Sequence, residues 1–322
     1  MTEAGTAERE SVNVVIRAGD CVVTLLPPFG GKISSITIRD KELLQAPLRA
    51  VAARTKTMSF DASDASGWDE CLPSVAPCEV KGAFGTAQIP DHGDLWRVAW
   101  ERIQQDDHGD QAVTLRGKCF SLPIELERTL ELHETENGWQ LSTQYTVLNR
   151  GTTEVPWSWA AHPLFAAEKG DQILLPSTIE KMLVEGSGGN RLGPHGTTVQ
   201  WPIALLSNGS HTDLSAAQPP ESKIGDKLFA GPLSEDENWC ALLRPTTGVR
   251  IKMQFDAAAT PYLGLWICHG GWPDAPGPKQ TCVALEPATS PCDSLATEGP
   301  WSRTLQPDES FSWPMLIDFE LL

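Results

Sequence analysis

Two histidines and one glutamate sit in surroundings that suit proton transfer. His92 lies in Pro90-Asp91-His92-Gly93-Asp94-Leu95-Trp96. His162 lies in Trp157-Ser158-Trp159-Ala160-Ala161-His162-Pro163-Leu164-Phe165. Glu286 lies in Leu285-Glu286-Pro287-Ala288-Thr289-Ser290-Pro291-Cys292-Asp293. A fourth cluster, Gly225-Asp226-Lys227-Leu228-Phe229, adds the carboxylate of Asp226. An imidazole titrates near neutral pH and can give or take a proton there. Glu286 directly follows the apolar run Cys282-Val283-Ala284-Leu285, so it is expected to leave a buried strand. Burial raises a carboxyl pKa toward the working range of a general base. A structural ion pair would serve such a glutamate equally well.

Taken together, the clusters fit a ring-opening reaction on a cyclic sugar. That chemistry needs a base at the anomeric hydroxyl, an acid at the ring oxygen, and donors that hold the other hydroxyls. A His and a Glu supply the first two without a cofactor, and none is expected. The chain has twelve Trp and only two Tyr. Trp68, Trp96, Trp159, Trp266 and Trp272 lie in or near the clusters and loops. Aromatic rings offer a large apolar face with a polar edge, which suits the flat side of a sugar. Filling a sandwich core is the competing use of a Trp. A metal site built from Asp91, His92, His162, His269 and Glu286 has suitable donors. It lacks compact ligand spacing, and no metal is expected.

These residues need strands to position them. Val12–Ala18 and Cys21–Pro27 are β-branched runs separated by Gly19-Asp20, which reads as a hairpin. Ile33–Ile38 alternates apolar and polar residues and leads into the turn Arg39-Asp40-Lys41. The strand pattern returns after Arg97 and again after Trp239. His133–Gly138 reads as a hairpin loop. Residues 59–96 and 186–237 are punctuated by Gly, Pro, Asp and Ser without a sustained period, and they read as long loops. Long amphipathic helical patterns are absent. The expected fold is all-β, a large antiparallel β-sandwich. Residues 11–322 are expected to form one domain behind a frayed polar tail at 1–10.

Bulk properties narrow the partners. The formal net charge is −17. Binding to phosphate backbones is carried by clustered Lys and Arg, so nucleic acid is not an expected partner. Anionic membrane surfaces are disfavoured for the same reason. The first residues lack a basic and then apolar leader pattern, and no stretch has the roughly 20 apolar residues of a spanning helix. A cytoplasmic location is expected. The eight cysteines are scattered without a C-x-x-C pair, which favours reduced thiols over a disulfide or zinc framework.

Over residues 12–320 the sequence resembles the aldose 1-epimerase, or galactose mutarotase-like, family. Gly30-Gly31-Lys32-Ile33-Ser34-Ser35 with Glu42-Leu43-Leu44 is similar to the family's opening hairpin. Gly67-Trp68-Asp69-Glu70-Cys71-Leu72-Pro73 followed by Pro90–Trp96 resembles a subgroup with G-W-D-E and H-G-x-L-W motifs. His162-Pro163-Leu164-Phe165 looks like the second family histidine, and Leu285-Glu286-Pro287 like the C-terminal base. The resemblance implies the galactose mutarotase-like supersandwich. It also implies His162 as general acid, Glu286 as general base and His92 as a hydrogen-bond partner near the ring oxygen or a neighbouring hydroxyl. It implies Asp226 and Arg54 as holders of sugar hydroxyls and Trp266, with Trp96, as walls. A single glycine follows His92 and a proline follows His162, departures that bear on which sugar is bound. No arginine pair accompanies the clusters, which favours an unphosphorylated sugar. The expected partner is a small-molecule sugar, and the chain is expected to be a monomer or homodimer. The alternative is a non-catalytic carbohydrate-binding or sensor protein on the same fold.

Overall fold

Alternation of apolar and polar residues builds two large antiparallel sheets. In Ile124–Thr135 and Gly138–Asn149 every second side chain is buried over most of the length, and the two strands pair around a short turn at 136–137. The first hairpin forms as expected, Val14–Ala18 against Cys21–Leu26 with Gly19-Asp20 at the turn. The computed structural model describes residues 13–103 and 109–322; the polar tail at 1–10 lies outside the described residues.

The larger sheet has eleven strands. Its order is Val14–Ala18, Cys21–Leu26, Lys32–Ile38, Trp68–Cys71, Ala160–Ala166, Thr281–Ala288, Tyr262–His269, Ile224–Ala230, Lys181–Ser187 and Thr198–Gln200, with Lys41–Glu42 alongside Lys32–Ile38. The second sheet has eight strands and centres on Ser310–Leu321, Gly138–Asn149 and Ile124–Thr135. Between them lies one apolar core that includes Val23, Ile33, Trp68, Leu126, Leu265 and Phe319. No α-helix occurs among the described residues. None of their helices is long and apolar enough to cross a membrane. All eight cysteines are free.

Both segments read as long loops contain central strands. Trp68–Cys71 is buried at all four positions, so no alternation marks it. It nevertheless sits between Lys32–Ile38 and Ala160–Ala166 in the large sheet. Ile224–Ala230 is nearly as buried and lies against Tyr262–His269. A strand covered on both faces loses its period-two signature.

Trp68–Cys71 also ties the two layers together. Glu70 is fully buried between the sheets. Its Oε1 accepts from Arg128 Nη1 at 2.7 Å and from Tyr145 Oη at 3.1 Å, and its Oε2 accepts from Trp159 Nε1 at 2.9 Å. A buried charge is tolerated only with such partners. Asp69, one residue earlier, accepts from Lys32 Nζ at 2.7 Å and pairs opposite His162.

Candidate active site

Strand register brings His162 and Glu286 together. Ala160 pairs with Ala288 and Leu164 with Ala284, so His162 and Glu286 both fall midway between those pairs. Their side chains meet on the same face, with His162 Nε2 4.0 Å from Glu286 Oε1. On the other side of Glu286 the paired residue is Gly264. A Cβ at Gly264 would lie 3.2 Å from Glu286 Oε2, so the glycine leaves room for the carboxylate. Lys227 pairs opposite Trp266 one strand further on. Its ammonium donates a hydrogen bond to Glu286 Oε2 and lies 3.5 Å from Asp293 Oδ1.

These groups form the floor of a cavity of about 460 Å³. Phe60, His92, Trp266 and Trp272 are among its walls, and Asp61, Asp91 and Asp274 are among its other lining residues. Trp266 Nε1 donates to Gln280 Oε1 at 3.0 Å, which fixes the indole plane. His92 stacks on Phe60 with ring centroids 3.9 Å apart and planes 8° from parallel, and its ring lies edge-on to His162 at 5.0 Å. The backbone of His92 is left-handed, φ 57°, followed by Gly93 at φ 67°. A Cβ at Gly93 would collide with the Leu72 carbonyl, so the tight turn requires glycine there. Arg97, nearly buried, donates to the carbonyls of Met58, Asp91 and Gly93 and pins this turn. Asp94 anchors it from the other side through the backbone N–H groups of Phe120 and Ser121.

Burial disfavours the charged form of both Glu286 and His162. Burial pushes the Glu286 carboxyl up, against the pull of Lys227. Burial drives His162 well below the ordinary imidazole range, and the neighbouring His92, Lys227 and Lys32 act in the same direction. Burial works against the Lys227 charge, but Asp293 and Glu286 outweigh it and hold its pKa above the usual lysine value. Glu286 Oε1 and His162 Nδ1 are buried and take no hydrogen bond among the described residues.

Of the residues singled out in the sequence, His92, His162, Trp266 and Glu286 line the cavity, and Trp96, Arg54 and Asp226 do not. Trp96 stands behind the wall, edge-on to Phe60 at 5.3 Å, and its Nε1 donates to the Asp91 carbonyl. Arg54 pairs with Asp64 and covers Trp96 at 5.2 Å. Asp226 pairs opposite Ile267, so it takes the strand face away from Lys227. There it accepts from Ser187 Oγ at 2.7 Å and Arg191 Nε at 2.8 Å. Phe60, Lys227 and Asp293 join the site without having been assigned to it. Strand geometry along Ile224–Ala230 puts Lys227 and Asp226 on opposite faces, but the near-complete burial of that strand leaves no alternation in the sequence to show it. Among the described residues no group of three or more His, Cys, Asp or Glu is arranged to hold a metal ion.

No family model matches the sequence, and no curated protein does either. Solved structures do match. A Synechocystis sp. protein superposes with a TM-score of 0.71 at 17% identity over 100% of both chains. A galactose mutarotase-like protein from Lactobacillus casei gives 0.60 at 16% identity, covering 96% of this chain and 100% of its own. A galactose mutarotase related enzyme from Lactobacillus acidophilus gives 0.63 at 14% identity, covering 96% and 99%. With its two facing antiparallel sheets, this chain has the galactose mutarotase-like fold.

Proposed function

We propose that the cavity binds one aldose ring and interconverts its α and β anomers. The observation that carries this reading is the 4.0 Å separation of His162 Nε2 and Glu286 Oε1 on the cavity floor. The anomeric hydroxyl and the ring oxygen of an aldose are bonded to the same carbon. Two groups at hydrogen-bond reach of those two oxygens must therefore stand side by side, as this pair does.

Glu286 takes the proton from the anomeric hydroxyl. The O–H electron pair becomes the carbonyl π bond at C1, and the C1–O5 pair leaves with the ring oxygen. That oxygen takes a proton from His162. Rotation about C1–C2 turns the other carbonyl face toward O5, and the steps run in reverse, so no proton or electron is gained or lost overall. Trp266, Trp272 and Phe60 pack the apolar faces of the ring. His92, held by its stack on Phe60, hydrogen-bonds a neighbouring oxygen. The cavity lining contains Asp61, Asp91, Asp274 and Asp293 and no arginine, which supports an unphosphorylated sugar.

Polarimetry of His162→Ala and Glu286→Gln tests the reading. Each substitution is expected to lower the rate of anomer exchange about 10²- to 10⁴-fold with the fold retained. Full activity in both variants contradicts it. One feature favours a second reading, a non-catalytic sugar-binding protein: Lys227 already occupies one oxygen of the base. Saturable sugar binding without faster anomer exchange is the signature of that alternative.

A further inference from the structure

Lys227 and Asp293 meet the cavity on the side of Glu286 opposite His162. The two oxygens of a carboxylate point apart. Oε1 of Glu286 faces His162, whereas Oε2 accepts from Lys227, and Lys227 in turn reaches Asp293. An anomeric carbon has only two ring neighbours, O5 and C2. With O5 at His162 and the anomeric hydroxyl at Glu286, the substituent on C2 falls toward Lys227 and Asp293.

We propose that Lys227 and Asp293 form a subsite that recognises the C2 hydroxyl of the sugar. The assignment rests on the epimerase reading for which end of the ring lies on the floor. An ammonium offers three N–H donors and an ionised carboxylate only acceptors. A hydroxyl is both donor and acceptor, so it satisfies the pair at once, donating to Asp293 and accepting from Lys227. A hydrogen at C2 satisfies neither.

Two further observations support a polar subsite there. Asp293 lines the cavity, and its Oδ1, 3.5 Å from Lys227 Nζ, is buried and accepts no hydrogen bond among the described residues. The Asp293 backbone is fixed for the purpose. Its carbonyl accepts from the N–H groups of Val75 at 3.0 Å and Ala76 at 2.8 Å, and its own N–H donates to Glu185 Oε1 at 3.2 Å. The side chain, 17% exposed, is thus held at the cavity lining by a fixed backbone. Such preorganisation is what makes one missing hydroxyl costly.

The test compares equilibrium binding of D-galactose and D-glucose with that of their 2-deoxy counterparts, read by intrinsic tryptophan fluorescence. Wild type is expected to bind the 2-deoxy sugars about tenfold or more weakly, the cost of a hydrogen bond to a charged group left unmade. In Asp293→Ala that ratio is expected to shrink toward one, and Asp293→Asn to retain part of it. Equal binding of both sugars by wild type overturns the subsite, as does an Asp293→Ala variant that weakens both sugars alike and leaves the ratio intact. Anomer exchange is followed separately. A hydroxyl preference without faster exchange leaves the subsite standing and ends the epimerase reading; faster exchange without the preference does the reverse. Failure of all four sugars to bind overturns both.

Discussion

Lys227 donates to Glu286 Oε2 and so leaves Oε1 as the carboxylate oxygen that faces His162. The ammonium lowers the proton affinity of both neighbours, by direct contact with Glu286 and through space at His162.

A pH dependence follows from that arrangement. Burial raises Glu286 and lowers His162, so each is held toward its neutral form. The working form carries one proton on the pair. Exchange, corrected for the spontaneous reaction, is expected to fall as pH rises past the point at which that proton is lost. Lys227→Met removes the charge that depresses both groups, so the whole kcat/KM profile is expected to shift upward by about one pH unit or more. An unmoved profile would show that Lys227 does not act on the pair.

The buried Glu70 carboxylate offers a test of the framework. Glu70→Gln leaves the Arg128 guanidinium buried without its counter-charge. Breaking a buried pair from one side costs about 3–5 kcal/mol. Urea unfolding should show a loss of that size, and a change below about 1 kcal/mol would contradict the bridging role, since surface substitutions cost no more.

His269 supplies a second stability test. It is 1% exposed, and neither ring nitrogen has a hydrogen-bond partner among the described residues. Burial, with the nearby Arg191 charge, pushes its pKa down to about 4. The unfolded chain takes up a proton near pH 6.5, whereas the folded chain does so only near pH 4. Stability is therefore lost as pH falls between those values. His269→Leu is expected to stabilise at pH 7, because it removes an unpaired polar ring. The gain should be about 2 kcal/mol larger at pH 5. Equal effects at the two pH values would contradict a depressed pKa.

The sequence made the sandwich legible because long strands such as Gly138–Asn149 expose one face of the alternation. It made His92, His162, Trp266 and Glu286 legible because motif context and an apolar run mark them. Trp68–Cys71 and Ile224–Ala230 were not legible as strands, since burial on both faces erases their period. Lys227 was lost with the second of these, and its neighbour Asp226, the carboxylate of the same cluster, faces Arg191 instead. Asp293 and Phe60 depend on long-range closure. Asp293 is held by hydrogen bonds from residues 75 and 76, and Phe60 by its stack on His92, contacts that no local pattern encodes.

The most direct measurement is a crystal structure of the protein with D-galactose or D-glucose in the cavity. The account expects the anomeric oxygen within hydrogen-bond distance of Glu286 Oε1 and the ring oxygen within reach of His162 Nε2. A sugar bound with its anomeric carbon turned toward Asp61 and Asp274, or bound outside the cavity altogether, would contradict it.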